Sequence, residues 1–175
     1  GMTLLQRRPR IGTDLQALRR RGGRVVVVDP RRTETVRIAD EHVAIRPGTD
    51  LFFFLGVIRV VVVGGLFDRS FVETHSRGID WWTEFSHSFD LDRAAEITDV
   101  PVPVISRIAE EFAAADAAFA TTRVGVQTSH NTTLTEWAVQ SLNALTGVVD
   151  RRGGVYFSPG VIDVPNLIRK FTKRK

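Results

Sequence analysis

Asp29 and Asp50 stand twenty-one positions apart, and each borders an apolar run. Asp29 follows Val25-Val-Val-Val28 and opens the turn Asp29-Pro-Arg-Arg-Thr33, while Asp50 ends Arg46-Pro-Gly-Thr-Asp50 and leads into Leu51-Phe-Phe-Phe54. The first turn supplies a carboxylate, two guanidinium groups and a hydroxyl together. That mixture suits ribose hydroxyls and phosphate oxygens. An ionised carboxylate only accepts hydrogen bonds, and guanine presents two adjacent donors, its ring N–H and its exocyclic amine. Adenine has no such pair, so a carboxylate at Asp50 would select guanine. Plainer roles stay open beside these: Asp-Pro commonly starts a turn, and Thr49 or Asp50 could cap the helix that follows.

A third segment, Arg123-Val-Gly-Val-Gln-Thr-Ser-His-Asn131, lies between an expected strand and an expected helix. In that topology backbone N–H groups and a helix N-terminus meet an anion, and Gly125 permits close approach. His130 has no partner assignable from sequence and reads as a surface or hydrogen-bonded histidine. His42, His75 and His87 lack metal-ligand spacing and read as structural or solvated; the carboxylates Glu110, Glu111 and Asp116 lie off the apolar stripe and read as solvated. No GxGxxG occurs, so ordinary NAD or FAD binding loses its fingerprint. No catalytic residue and no metal ligand is named from the chain.

These residues need elements to hold them. Four consecutive valines predict a strand buried on both faces, and a carboxylate at the carboxyl end of a parallel strand is where open α/β sheets place ligands. A helix is expected over 13–21, stopped by Gly22-Gly23, then the Val25 strand, a helical turn over 33–38, and a short strand over 42–46. A core helix follows over 50–63, then polar, aromatic-rich elements over 68–89 that include Trp81 and Trp82. Helices over 91–98 and 101–115 come next, the latter burying Ile105, Ile108, Ala109 and Phe112. A strand over 117–122 and a helix over 133–146 complete the pattern, the helix burying Leu134, Trp137, Ala138, Leu142 and Leu145. Strands alternating with helices predict an α/β fold: a Rossmann-like three-layer αβα domain with a mainly parallel sheet.

The chain has 175 residues, 43% apolar and 25% charged, which suits one domain with a proper core. That domain is expected over 1–160, with 161–175 a basic tail that could lack order. The net charge of +4 has its excess in the two ends, too weak a signal for nucleic acid, so none is expected as a partner. The absence of cysteine excludes disulfides, thiolate zinc sites and cysteine-held iron–sulfur clusters within this chain. The apolar run over 51–64 is shorter than the roughly twenty residues a bilayer needs and contains Arg59, so no membrane span is expected. Without an export signal, a cytoplasmic location is the default expectation.

Val28-Asp-Pro-Arg-Arg-Thr-Glu-Thr35 with Ala39-Asp40, followed by Ile45-Arg-Pro-Gly-Thr-Asp50, resembles the guanine-nucleotide segments of the molybdopterin-dependent oxidoreductases, the family of formate dehydrogenases, nitrate reductases and dimethyl sulfoxide reductase. Gly65-Leu-Phe-Asp-Arg-Ser-Phe-Val72 with His75 and Gly78, Ala95-Glu-Ile-Thr-Asp-Val-Pro101, Arg123-Val-Gly125 and Leu142-Asn-Ala-Leu-Thr-Gly147 follow in the family's order. The resemblance implies the family's middle domain, which holds one molybdopterin guanine dinucleotide beside molybdenum or tungsten (Mo-bis-MGD in the parent enzyme). It places Asp29, Pro30, Arg31, Arg32 and Thr33 on a nucleotide-contacting turn, Gly48, Thr49 and Asp50 on the guanine segment, and Val124, Gly125 and Thr128 on a third contact loop. It implies two-electron chemistry on a small substrate such as formate or nitrate in the parent. The remaining domains of that parent would be the partners, and any iron–sulfur cluster would lie outside this chain. Departures occur after Gly125, where the family's Gln-His pair is split into Gln127 and His130, and after Gly147, where Val148 and Arg152 stand for Asn and Pro; 161–175 matches nothing. A free-standing nucleotide-binding module or a structural subunit derived from the family stays open as an alternative.

Overall fold

The computed structural model describes residues 10–156 and 168–169. The expected basic tail therefore lies outside the described residues, apart from Ile168 and Arg169. Helix α1 (Ile11–Arg20) is followed by Gly22, whose φ of +83° turns the chain toward strand β1 (Val26–Val28). One helical turn, α2 (Glu34–Arg37), then leads to β2 (Glu41–Val43). The two strands pair in parallel, Val26 with Glu41, Val27 with His42 and Val28 with Val43.

Helix α3 (Asp50–Val63) is apolar all round and sits at the centre of the molecule. Around it pack α5 (Ile79–Ser88), α6 (Leu91–Thr98), α7 (Val102–Ala114) and α9 (Thr132–Leu145). Two short helices, α4 (Arg69–His75) and α8 (Val124–Gln127), complete the set. Phe53, Val57, Ile58 and Val61 of α3 join Trp82, Ile105, Ala109, Ala138, Leu142, the β2 residue Val43 and, just beyond it, Ile45 in one buried cluster. Gly56 is needed for that approach, since a Cβ there would stand 3.2 Å from Leu91 and 3.3 Å from Ile105. Arg59, the charge inside the apolar run, donates its Nε–H to the Phe89 carbonyl at 2.7 Å and so closes the end of α5.

The α/β class and the parallel pairing are as the sequence predicts, while details differ, beginning with the second strand, which is Glu41–Val43 where 42–46 is expected and completes a sheet of two strands among the described residues. The valines of β1 are half-buried instead of enclosed on both faces, because β1 has one paired neighbour among the described residues; Val26 and Val28 pack on the core. Residues 117–122 form no strand. The Asn143 side chain does the work of a neighbouring strand there, its Oδ1 accepting from the Ala120 N–H at 2.8 Å and its Nδ2 donating to the Ala120 carbonyl at 2.9 Å. On α9 the buried face runs through Thr135, Ala138, Val139, Leu142 and Leu145, leaving Leu134 54% and Trp137 44% exposed. Trp137 instead stacks on Trp82, ring centroids 4.8 Å apart, and meets Trp81 edge-on, so aromatic contact replaces burial.

Candidate functional site

Parallel pairing brings the carboxyl ends of both strands to one edge of the sheet; Asp29 follows β1 directly there, and Asp50 opens α3 seven residues after β2. The Asp29 N–H still belongs to the ladder, donating to the Val43 carbonyl at 3.1 Å. Its Oδ1 accepts from the Arg31 N–H at 2.9 Å, a local turn closed by the side chain. The Asp29 carbonyl oxygen lies 2.8 Å from Nε2 of His42. Pro30, Arg31 and Arg32 are exposed beyond this turn, and Thr33 turns inward, buried, at the start of α2.

The second segment leaves β2 through Ile45, buried, and the Arg46 N–H is held by the Thr98 carbonyl at 2.9 Å, which ties it to the end of α6. Gly48 has φ +77°, a value that side chains resist, and no atom lies within 4 Å of where its Cβ would be. The Thr49 hydroxyl donates back to the Arg46 carbonyl at 2.7 Å and makes no cap bond to α3. Asp50 is then the first helical residue, half-buried. Burial pushes its carboxyl above the ordinary carboxylate range; its own backbone N–H opposes that shift, and the negative charge of Asp29 adds to it. Asp29 and Asp50, distant in sequence, therefore share one electrostatic neighbourhood.

The third segment is organised separately. Arg123 enters in extended conformation, Val124 to Gln127 form a single helical turn, and Thr128 closes it by donating to the Val124 and Gly125 carbonyls at 3.1 and 3.2 Å. Val124, Gly125 and Thr128 are exposed, and a Cβ on Gly125 would meet nothing within 4 Å. The turn is anchored to α9 by the Thr132 hydroxyl, which bonds the Val126 and Ser129 carbonyls. Residues expected to be a loop are thus partly helical. His130 is exposed, the surface alternative of its reading.

Sequence reasoning missed His42 as a partner of the Asp29 turn. No sequence signal gives that contact, because it depends on β2 lying beside β1 with His42 opposite Val27. Sequence reasoning also missed the ion-pair group in which Arg24 and Arg107 each reach both Glu41 and Glu111, tying β2 to α7. Glu111, read as merely solvated, is held below the ordinary carboxylate range, first by its hydrogen bond from Arg107. Among the described residues no group of three or more His, Cys, Asp and Glu could hold a metal ion.

No protein-family model matches the chain. It is 32% identical over 149 residues to the thiosulfate reductase molybdopterin-containing subunit of Salmonella typhimurium, covering 82% of this chain and 19% of that one. It is likewise 32% identical over 146 residues to the periplasmic nitrate reductase of Desulfovibrio desulfuricans, covering 78% of this chain and 19% of the relative. The solved structure of acetylene hydratase from Pelobacter acetylenicus superposes with a TM-score of 0.73 at 34% identity, over 77% of this chain and 19% of that chain. The sequence thus spans less than a fifth of the length of each of these relatives. By sequence and by fold, the chain belongs to the molybdopterin-dependent oxidoreductases, matching one domain-sized part of those larger proteins.

Proposed function

We propose that this chain is the guanine-nucleotide-binding domain of a larger molybdopterin oxidoreductase, holding the guanine end of a molybdopterin guanine dinucleotide. The observation that carries the reading is the shared neighbourhood of Asp29 and Asp50 at the carboxyl edge of the parallel pair, with Asp50 desolvated and Thr49 bonded backward instead of capping α3. The residues present suit such a group. Asp50 would accept from the two guanine donors, and the open space over Gly48 leaves room for a base. Asp29, Pro30 and Thr33 would shape the turn, from which the exposed Arg31 and Arg32 would reach ribose or phosphate oxygens. Val124, Gly125 and Thr128 would form a third contact.

When bound, the cofactor would bring molybdenum or tungsten chemistry, two-electron transfer to or from a small substrate such as formate or nitrate in the whole enzyme. This chain's residues would bind and orient it. The domain would span 1–160 and dock on the remaining domains, any iron–sulfur cluster lying elsewhere. We place the larger protein in the cytoplasm, the periplasmic relative marking the other outcome. No helix among the described residues is long and apolar enough to cross a membrane. Titration of the chain with GDP and with ADP tests the reading: GDP is expected to bind measurably tighter, and equal affinities, or no GDP binding at several millimolar, would overturn it.

A further inference from the structure

His42 lies in β2 opposite Val27, half-buried, with Nε2 2.8 Å from the Asp29 carbonyl oxygen. A carbonyl oxygen only accepts, so the imidazole nitrogen facing it carries the proton. That carbonyl belongs to the peptide joining Asp29 to Pro30. Because Pro30 has no N–H, the carbonyl is the sole hydrogen-bonding handle on that peptide unit. β2 therefore grips Asp29 at two points, the Val43 carbonyl on its N–H and the His42 ring on its carbonyl oxygen. The Asp29 carboxylate in turn holds the Arg31 N–H at 2.9 Å. Two of these bonds come from the neighbouring strand, and the third carries their hold on Asp29 into the turn.

We propose that His42 is a positioning residue for the nucleotide-contacting turn, fixing the Asp29–Pro30 peptide plane so that Arg31 and Arg32 leave it in the binding direction. The proposal rests on the reading that this turn meets a guanine nucleotide. An apolar residue at this position would maintain the strand but release the carbonyl. Glutamine, whose Nε2 can stand near the histidine Nε2, would maintain both.

The test uses the chain with His42→Ala and with His42→Gln, reading GDP affinity and, without nucleotide, the Arg31 amide by nitrogen-15 NMR. His42→Ala is expected to weaken GDP binding about three- to tenfold, as the loss of one hydrogen bond allows, and to speed hydrogen exchange at the Arg31 amide. His42→Gln should restore both to within about twofold, which loss of generic stability would not predict. A His42→Ala protein with unchanged Arg31 exchange and unchanged GDP affinity overturns the proposal, as does failure of glutamine to restore either. If the unaltered chain binds no GDP, the nucleotide reading fails by itself, and Arg31 exchange still decides whether His42 orders the turn. Should His42→Ala not fold, the ring nitrogens of the unaltered protein decide: a proton on Nε2 supports the assignment, and a bare Nε2 with the proton on Nδ1 overturns it.

Discussion

At Asp50 the proposed role and the stability of the fold pull in opposite directions. Its folded-state carboxyl lies above its unfolded value because burial disfavours the charge. The folded state therefore binds the proton more tightly than the unfolded state. Stability from this group is fully present below the unfolded carboxylate range and falls as pH rises through the raised folded value. At neutral pH the ionised Asp50 is a cost to the fold. Replacing it with asparagine removes the charge and, since Thr49 already bonds elsewhere, disturbs no cap bond. The melting temperature of Asp50→Asn is thus expected to be unchanged or higher at neutral pH. GDP affinity should fall about tenfold or more, because a charge-assisted acceptor worth roughly 1.5–3 kcal/mol becomes a donor facing a donor. ADP affinity should not follow. Calorimetry of both nucleotides alongside thermal melts separates these outcomes, and unchanged GDP affinity would remove Asp50 from the site. His130, exposed and on the third segment, is expected to be dispensable: His130→Ala should stay within about threefold of the parent in GDP affinity, under 1 kcal/mol. A tenfold loss would bring it back.

Elements were readable where the pattern and the packing agree. Asp50–Val63 and Leu91–Thr98 are bounded by turn residues and caps, and each has the predicted limits. The strand expected over 117–122 failed because a segment's composition does not report the source of its hydrogen bonds. Here a buried amide supplies them from α9. Asn143 is fully buried, so Asn143→Leu should strand the N–H and carbonyl of Ala120 together and destabilise the protein by about 2–4 kcal/mol. A change below 1 kcal/mol in denaturant unfolding would show that water replaces the amide. The same helix shows why burial was misread: a Leu and a Trp counted as core by type stand outward, while Thr135 and Asn143 face inward with hydrogen bonds that no hydropathy pattern records. At the other end of α9, Gly147 has φ +69°, and a Cβ would come within 2.5 Å of the Asp68 carboxylate that caps α4 and pairs with Arg151. Gly147→Ala combines backbone strain with a collision, and should cost at least about 2 kcal/mol and lower the melting temperature by several degrees. For the site, Asp29 and Asp50 could be picked out from sequence because a carboxylate carries its chemistry in its type; their role as acceptors is the proposal. The His42 contact could not be, since it depends on which strand lies beside which.

At the scale of the whole molecule, one buried cluster runs from the sheet through α3 to α9, and Asp29 and Asp50 lie on the elements it joins, the end of β1 and the start of α3. A ligand that binds only the folded state must then raise its melting point, with an increment set by mass action. If GDP binds with a dissociation constant near 1 mM, 10 mM GDP should stabilise the chain by about 1.4 kcal/mol, or roughly 3–5 °C in melting temperature. ADP at the same concentration brings the same charge to a chain of net charge +4, so it controls for unspecific anion binding. It should move the melting point by less than half as much. Metals enter the same argument with the opposite sign of expectation. The chain has no cysteine, and its described residues gather no three potential ligands, so purified protein is expected to carry no stoichiometric molybdenum, tungsten or iron and to reduce no dye with formate or nitrate. Elemental analysis and scanning calorimetry on one preparation settle both halves. Selective stabilisation by GDP in a metal-free protein fits a nucleotide-holding domain, whereas tightly bound metal would mean that this chain carries a centre of its own, and equal shifts with GDP and ADP would reduce the site to a basic surface.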